Sequence, residues 1–316
     1  MTSILNRCFL VKHSGGVTRG HARILGICGI GLIVASLAHA KPPGREQQLA
    51  VRLQRAHAAG NRDELERAAK ALRVKGVRHA LRGARALRLA ALAAAPLCEK
   101  SWLLLPELTE LMGEADPKVA AAAGEATLRV AEDLRPLELE VNEDLPVTLR
   151  PVSARLVSLA RSARPAETRL PAVRALAQLL EVAPVESKHL LPLLDDPSAP
   201  IRRAAVELFG RSPDDAARER LGGVVANDRS ADVARAAAAV LCAQVPTSRR
   251  VASPVIAVLR TAGALARLRE LARDADAPVD EVADIARCLA RGGRAEQKVH
   301  RELLRRPSVR RILRRE

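Results

Sequence analysis

From Leu190 to Gly210 the chain reads LLPLLDDPSAPIRRAAVELFG: an apolar cluster, an Asp-Asp-Pro break, then Ile201, Ala204, Ala205 and Leu208. Steps of three and four residues lay these apolar positions along one face of a helix. The stretch therefore predicts a short helix, a polar turn and a second helix. Val233 repeats the pattern with Ala236, Ala237 and Val240, and Leu170 repeats it in part with Val173 and Ala177, Arg174 breaking the match. These anchors lie 31 and then 32 residues apart, a period long enough for one helix pair. Further copies surround Asp116-Pro117, after Trp102, and Asp276 to Pro278, after Ala264. Residues 61–95 add two helices, giving about six pairs. Two stretches interrupt the period: Glu132 to Val152 reads as a proline-spaced insertion, and Ser253 to Gly263 as an extra helix.

No pair in such a series buries its apolar face alone, so neighbours must stack. The expected fold is all-α, an α-solenoid of stacked antiparallel helix pairs. Composition agrees: 48% of the chain is hydrophobic but only 1% aromatic. The apolar mass is Ala, Leu and Val, which suits closely packed helices better than sheets rich in β-branched and aromatic residues. At the break, aspartate caps the second helix and proline suits its first turn. The same reasoning assigns the acidic pairs Asp195-Asp196 and Asp214-Asp215 to helix starts, and Gly222-Gly223 and Gly292-Gly293 to helix irregularities or ends.

The Leu-Leu, Asp-Pro, Ile-Arg, Ala and Leu-x-Gly positions of residues 190–210 resemble a HEAT repeat. The short period is similar to the bacterial HEAT-like repeats first described in phycobilin lyases, and the resemblance covers roughly residues 100–290. It implies a superhelical array, with Asp196 and Arg202 in the places where HEAT families build an Asp–Arg ladder between repeats. A tetratricopeptide array is excluded by the lack of any Tyr, and an ankyrin array by the lack of a Thr-Pro-Leu-His-like start.

The first forty residues read differently. Arg7, Lys12, Arg19 and Arg23 precede the apolar run Ile24 to Ala40, and Ala38-His39-Ala40 ends it with small residues where a signal peptidase reads. Cleavage between Ala40 and Lys41, with a periplasmic or secreted product, is the expectation, and an uncleaved N-terminal membrane anchor is the alternative. A lipoprotein start at Cys28 fits poorly, because Ile27 stands where a small residue is required. The chain then divides into the signal peptide 1–40, a basic helical region 41–100, the repeat array 101–291 with its insertion at 132–152, and a basic C-terminal cap or tail 292–316.

Charge is concentrated at the two ends. Residues 45–90 hold 12 Lys or Arg against 4 acids, residues 291–316 hold 10 against 3, and the span between is net acidic. Lys75, Arg78, Arg82 and Arg85 recur at helical spacing and predict one stripe, while Arg310, Arg311, Arg314 and Arg315 gather after Pro307. These eight residues form the candidate basic docking surface. Leu303 and Leu304 of a helix at 294–306 are expected to close the array, so the arginines beyond Pro307 exceed what a cap requires. Deleting residues 307–316 is therefore expected to leave the melting temperature nearly unchanged. The charge suits an anionic membrane surface or acidic envelope material as well as a protein. Nucleic acid is the weaker reading, given export and the scarcity of aromatics for stacking.

No catalytic signature stands out. His57, His79, His189 and His300 sit in no nucleophile setting, and Gly-x-Ser-x-Gly, His-Glu-x-x-His and phosphate-cradling glycine loops are lacking. No catalytic, cofactor or metal residue is assigned. Cys98, Cys242 and Cys288 are too far apart in sequence for a zinc site. Helix axes pack about 8–10 Å apart, whereas a disulfide needs Cα atoms within about 7 Å, so three buried thiols are expected. The functional expectation is an exported, non-catalytic protein-interaction scaffold of the bacterial envelope. The alternative is a lyase- or chaperone-like activity of the short-repeat class.

Overall fold

A computed structural model of the chain describes residues 44–134, 145–211, 214–244 and 254–315. The leader expected at 1–40, with its cleavage point at Ala40–Lys41, and residues 135–144 of the insertion lie outside them. Residues 45–316 form one compact unit, and every regular element among the described residues is helical.

The first part holds α1 (Arg45–Ala58), α2 (Arg62–Leu81), α3 (Arg85–Ala94), α4 (Leu105–Leu111), α5 (Pro117–Glu132), α6 (Leu145–Ala160) and α7 (Ala166–Leu179). After two 3-10 turns (Ser187–His189 and Leu191–Asp195) come α8 (Ala199–Arg211), α9 (Asp215–Asn227) and α10 (Ala231–Ala243). The last part holds α11 (Pro254–Thr261), α12 (Leu265–Arg273), α13 (Val279–Leu289), α14 (Arg294–Leu303) and α15 (Pro307–Arg315). Helices α3, α5, α7, α8, α10, α13 and α15 pack one against the next as a single row. The partner row includes α4 on α6, and the Leu191–Asp195 turn, α9, α12 and α14 in succession. This is the α-solenoid that the periodicity predicts.

Alanine makes the spacing of the row possible. In α10, Ala234 and Ala236 to Ala239 are all buried, as are Ala204 and Ala205 in α8 and Ala283 and Ala286 in α13. Small side chains let helix backbones approach closely while the larger Leu208, Phe209, Leu241 and Ile285 fill the space between them. Gly222 serves the same end inside α9: a Cβ there would meet a methyl of Val258 on α11 at 2.7 Å. It is a close-approach position within the helix, not an irregularity of it.

Several expectations need correction. The apolar run at Leu190 forms only a 3-10 turn, because five residues with Pro192 near the start are too short for α-helical nucleation. Residues 145–152 belong to α6, with Pro146 in its first turn and Pro151 in its interior, so the insertion is partly a helix of the array. Lys75 and Arg78 lie on α2, Arg82 is its C-cap and Arg85 opens α3, so these four residues do not form one helical stripe. Nor does Pro307 end the structured chain. It starts α15, where its fixed φ and missing N–H are tolerated. Val309 is buried, Ile312 and Leu313 are half-buried, and the helix rests on α13. The segment thus covers an apolar face of α13, and the expectation that it is dispensable for stability is withdrawn.

Cys242 and Cys288 form a disulfide with Cα atoms 5.4 Å apart, correcting the expectation of free thiols. Axis separation was the wrong measure: the two cysteines face each other across the alanine-lined contact of α10 and α13, where Cα atoms come closer than the axes. Among the described residues Cys98 is the free cysteine, and it is buried.

Candidate interaction surface

The sequence of each polar turn determines how one unit is joined to the next. Asp196 accepts from the Ser198 amide at 2.9 Å, Asp228 from Ser230 at 2.7 Å and Asp274 from Asp276 at 3.0 Å. Each of these carboxylates also receives an arginine from the second helix of the preceding unit. Arg169 pairs with Asp196, one contact being 3.2 Å. Arg202 grips Asp228 with two bonds of 2.8 and 2.9 Å, and its remaining nitrogen donates to the carbonyls of Asp196 and Pro197 at 2.8 and 3.2 Å. Arg235 reaches Asp274 at 2.5 Å and Glu281 at 2.9 Å, and also Asp232. Successive units are thus joined by an Asp–Arg ladder, with Asp196 and Arg202 each on a rung.

The ladder also reveals the register. Arg169, Arg202 and Arg235 stand 33 residues apart at each step. Buried Leu208 and Phe209 of α8 correspond in this register to Leu241 and Cys242 of α10. The anchors at 170, 201 and 233 had followed turns, which vary in length, so they slipped by a residue or two.

The arginines of these ion pairs are buried, and the Arg169–Asp196 and Arg202–Asp228 pairs are enclosed on both sides. The Arg202 and Asp228 side chains are each 5% exposed, and Arg235 is 6% exposed. Burial pushes the Asp196 and Asp228 carboxyls up, but the guanidinium bonds and the capping amides outweigh it and hold both below the usual aspartate value of 3.8. The fork of an arginine matches a carboxylate with two parallel bonds, and a pair so enclosed locks one helix to the next. Beside these rungs runs an open groove of about 570 Å³, whose rim includes Leu194, Asp195, Pro197, Arg220, Val224 and Arg229. Arg220 pairs with Asp195, and Arg229 donates to the Pro197 carbonyl, so both charges are fixed across the groove.

The eight basic residues chosen from sequence separate into two kinds. Arg78 is bound to Glu107 and the Leu103 carbonyl, both at 2.5 Å, and Arg85 to Asp116 at 2.5 Å. With Arg88, which grips both Glu114 oxygens at 2.6 Å, they join the first units. Lys75 and Arg82 are exposed and make no ion pair among the described residues. Arg310, Arg311 and Arg314 are exposed on α15, opposite Val309, while the Arg315 side chain lies outside the described residues.

Sequence reasoning missed a further set. Arg294, Lys298 and Arg301 are exposed at helical spacing along α14, with Arg305 just beyond its end. The opposite side of α14 carries Val299 and Leu303, both buried. The spacing was visible, but it lay among the acids Glu296 and Glu302, which the structure turns away to Arg269 at 3.0 Å and Arg273 at 3.2 Å. Burial raises the Cys98 thiol to about 11, which leaves it protonated and unreactive at neutral pH.

No family model matches the chain, and no curated protein does. Among solved structures, the chain is similar to the designed armadillo repeat protein YIII(Dq)4CqI, with 21% identity and a TM-score of 0.41 over 66% of this chain and 91% of that one. It is also similar to the designed armadillo repeat protein YIII(Dq.V1)4CPAF in complex with peptide (KR)4, with 20% identity and a TM-score of 0.42 over 66% of this chain and 90% of that one.

Proposed function

We propose that the protein is an exported, HEAT-like scaffold of the bacterial envelope that binds another protein along its repeat array. The groove beside Asp196, Arg202 and Asp228 carries this reading. It is open and mixed in charge, and its walls are fixed by buried ion pairs, so an extended peptide segment meets donors and acceptors already in place. Preorganisation of this kind reduces the ordering cost of binding. The Cys242–Cys288 disulfide supports the exported location, because structural disulfides persist in oxidising compartments and are rare in the cytosol. The lyase- or chaperone-like alternative has no observation in its favour among the described residues.

Photo-crosslinking tests the proposal. A photoreactive amino acid replacing Val224, on the groove wall, is expected to capture one discrete protein from envelope preparations. The same group at Ala257, on the exposed side of α11, is expected to capture none. Equal labelling from both positions would refute the groove as a specific site.

A further inference from the structure

We propose that the end of the array formed by α14 and α15 docks onto an anionic phospholipid bilayer. The first observation is how differently arginine is used at this end. Within the array, Arg169, Arg202 and Arg235 are buried against carboxylates. On the last two helices, Arg294, Lys298, Arg301, Arg305, Arg310, Arg311 and Arg314 are exposed and have no acidic partner among the described residues. Their packed sides, Val299 and Leu303 on α14 and Val309 on α15, already cover the final apolar face. Closing the array does not require these charges, and like charges held together repel unless an anionic partner is present.

The second observation is the form of the surface. Arg294 and Arg301 lie about 10 Å apart along the α14 axis, so the charge is spread along the exposed side of the helix. The chain's one Trp, Trp102, is in another unit, and no aromatic residue occurs in 254–316. A protein hot spot is ordinarily an aromatic or arginine anchor in a desolvated pocket, and a single-stranded nucleic acid needs stacking platforms. No aromatic anchor or stacking platform is present on these helices. A lipid headgroup plane asks only for a spread of cationic groups, each adding to the attraction near the surface. This choice of occupant rests on the export reading of Ile24 to Ala40, under which the chain meets a membrane whether the leader is cleaved or kept. On that reading anionic lipid is a polyanion within reach of these helices. This docking does not depend on the groove reading, because it uses other helices and another partner.

The test uses the full-length chain and two vesicle types, phosphatidylcholine alone and phosphatidylcholine with phosphatidylglycerol. Sedimentation gives the ratio of anionic to neutral binding. Any contribution of the leader is the same in every variant, so a change in ratio reports on the altered residues. The double variants Lys298→Glu/Arg301→Glu and Arg310→Glu/Arg314→Glu are each expected to lower the ratio about tenfold or more. The control Lys75→Glu/Arg82→Glu, exposed basic residues at the other end, is expected to leave it within about twofold. Thermal melting of each variant checks that it folds. An unchanged ratio in either cap variant would overturn the proposal. So would an equal loss in the control, which would make the effect one of net charge. An additional arm measures a single-stranded oligonucleotide: binding as tight as to anionic vesicles, and equally sensitive to the cap variants, would assign the surface to nucleic acid instead.

Discussion

Arginine does opposite work in the middle and at the end of this molecule. Between α7 and α13 the buried Arg169, Arg202 and Arg235 are internal fasteners: Arg202 is 5% exposed and bonded to Asp228, Asp196 and Pro197 at once. On α14 and α15 arginine is a surface charge, with Arg301 making only a 3.4 Å contact to the carbonyl of Gln297. What sets the first apart is a carboxylate in the turn of the next unit, Asp228 for Arg202. Units at 193–196 and 303–306 even share a layout, Leu-Leu-Asp-Asp before Pro-Ser in the first and Leu-Leu-Arg-Arg before Pro-Ser in the second. Where the ladder has Asp196, the last unit has Arg306, which donates to the carbonyls of Arg273 and Asp274 at 3.0 and 3.4 Å. In the turn before α15 a donor thus stands where the earlier turns carry the ladder's acceptor.

Breaking a rung gives the largest effect. Asp228→Ala strands the Arg202 guanidinium in a buried site, and loss of one partner of such a pair costs about 3–5 kcal/mol. Urea unfolding is expected to show that loss, and a change below about 1 kcal/mol would mean that the rung is not closed in solution.

Reducing the Cys242–Cys288 disulfide comes next. It closes a loop across a sequence separation of 46 residues and ties α10 to α13, so its loss should cost about 2–4 kcal/mol. Melting with and without reductant measures it, and Cys242→Ala/Cys288→Ala should be insensitive to reductant. Equal reductant effects on both proteins would place the sensitivity elsewhere.

Removing residues 307–316 should cost about 2 kcal/mol, because it uncovers the α13 surface beneath Val309 and the half-buried Ile312 and Leu313. A truncated protein as stable as the parent would make α15 an appendage.

The smallest effect is in pH. Asp196 and Asp228 titrate below the ordinary aspartate value of 3.8 when folded. Their contribution is therefore fully present above that value and is lost as pH falls through the folded values. Urea midpoints should be flat from about pH 7 to pH 5 and fall below about pH 4, and Asp228→Ala should show a shallower fall. An identical acid profile in the variant would detach the ladder from acid sensitivity.

Helix pairing, the Asp caps and the places of Asp196 and Arg202 were legible because they depend on local spacing and on capping chemistry. The 33-residue register was not, because turns vary in length while the arginine is fixed by a partner in the next unit. The disulfide was missed because alanine lets Cα atoms approach more closely than an axis distance suggests. Arg78 and Arg85 resembled surface charge because their partners, Glu107 and Asp116, lie about 30 residues away. For the same reason, nothing local distinguished them from Lys298 or Arg301, which have no such partner among the described residues.

Native-state hydrogen exchange on Arg202→Met and Arg301→Met, side by side, tests the central contrast most directly. Arg202→Met is expected to raise exchange both in α8, which carries it, and in α10, whose entry turn it holds, while Arg301→Met leaves α13 and α14 unchanged. Loss of protection confined to α8, or equal losses in the two variants, would contradict the division between a fastening interior and a bare cationic end.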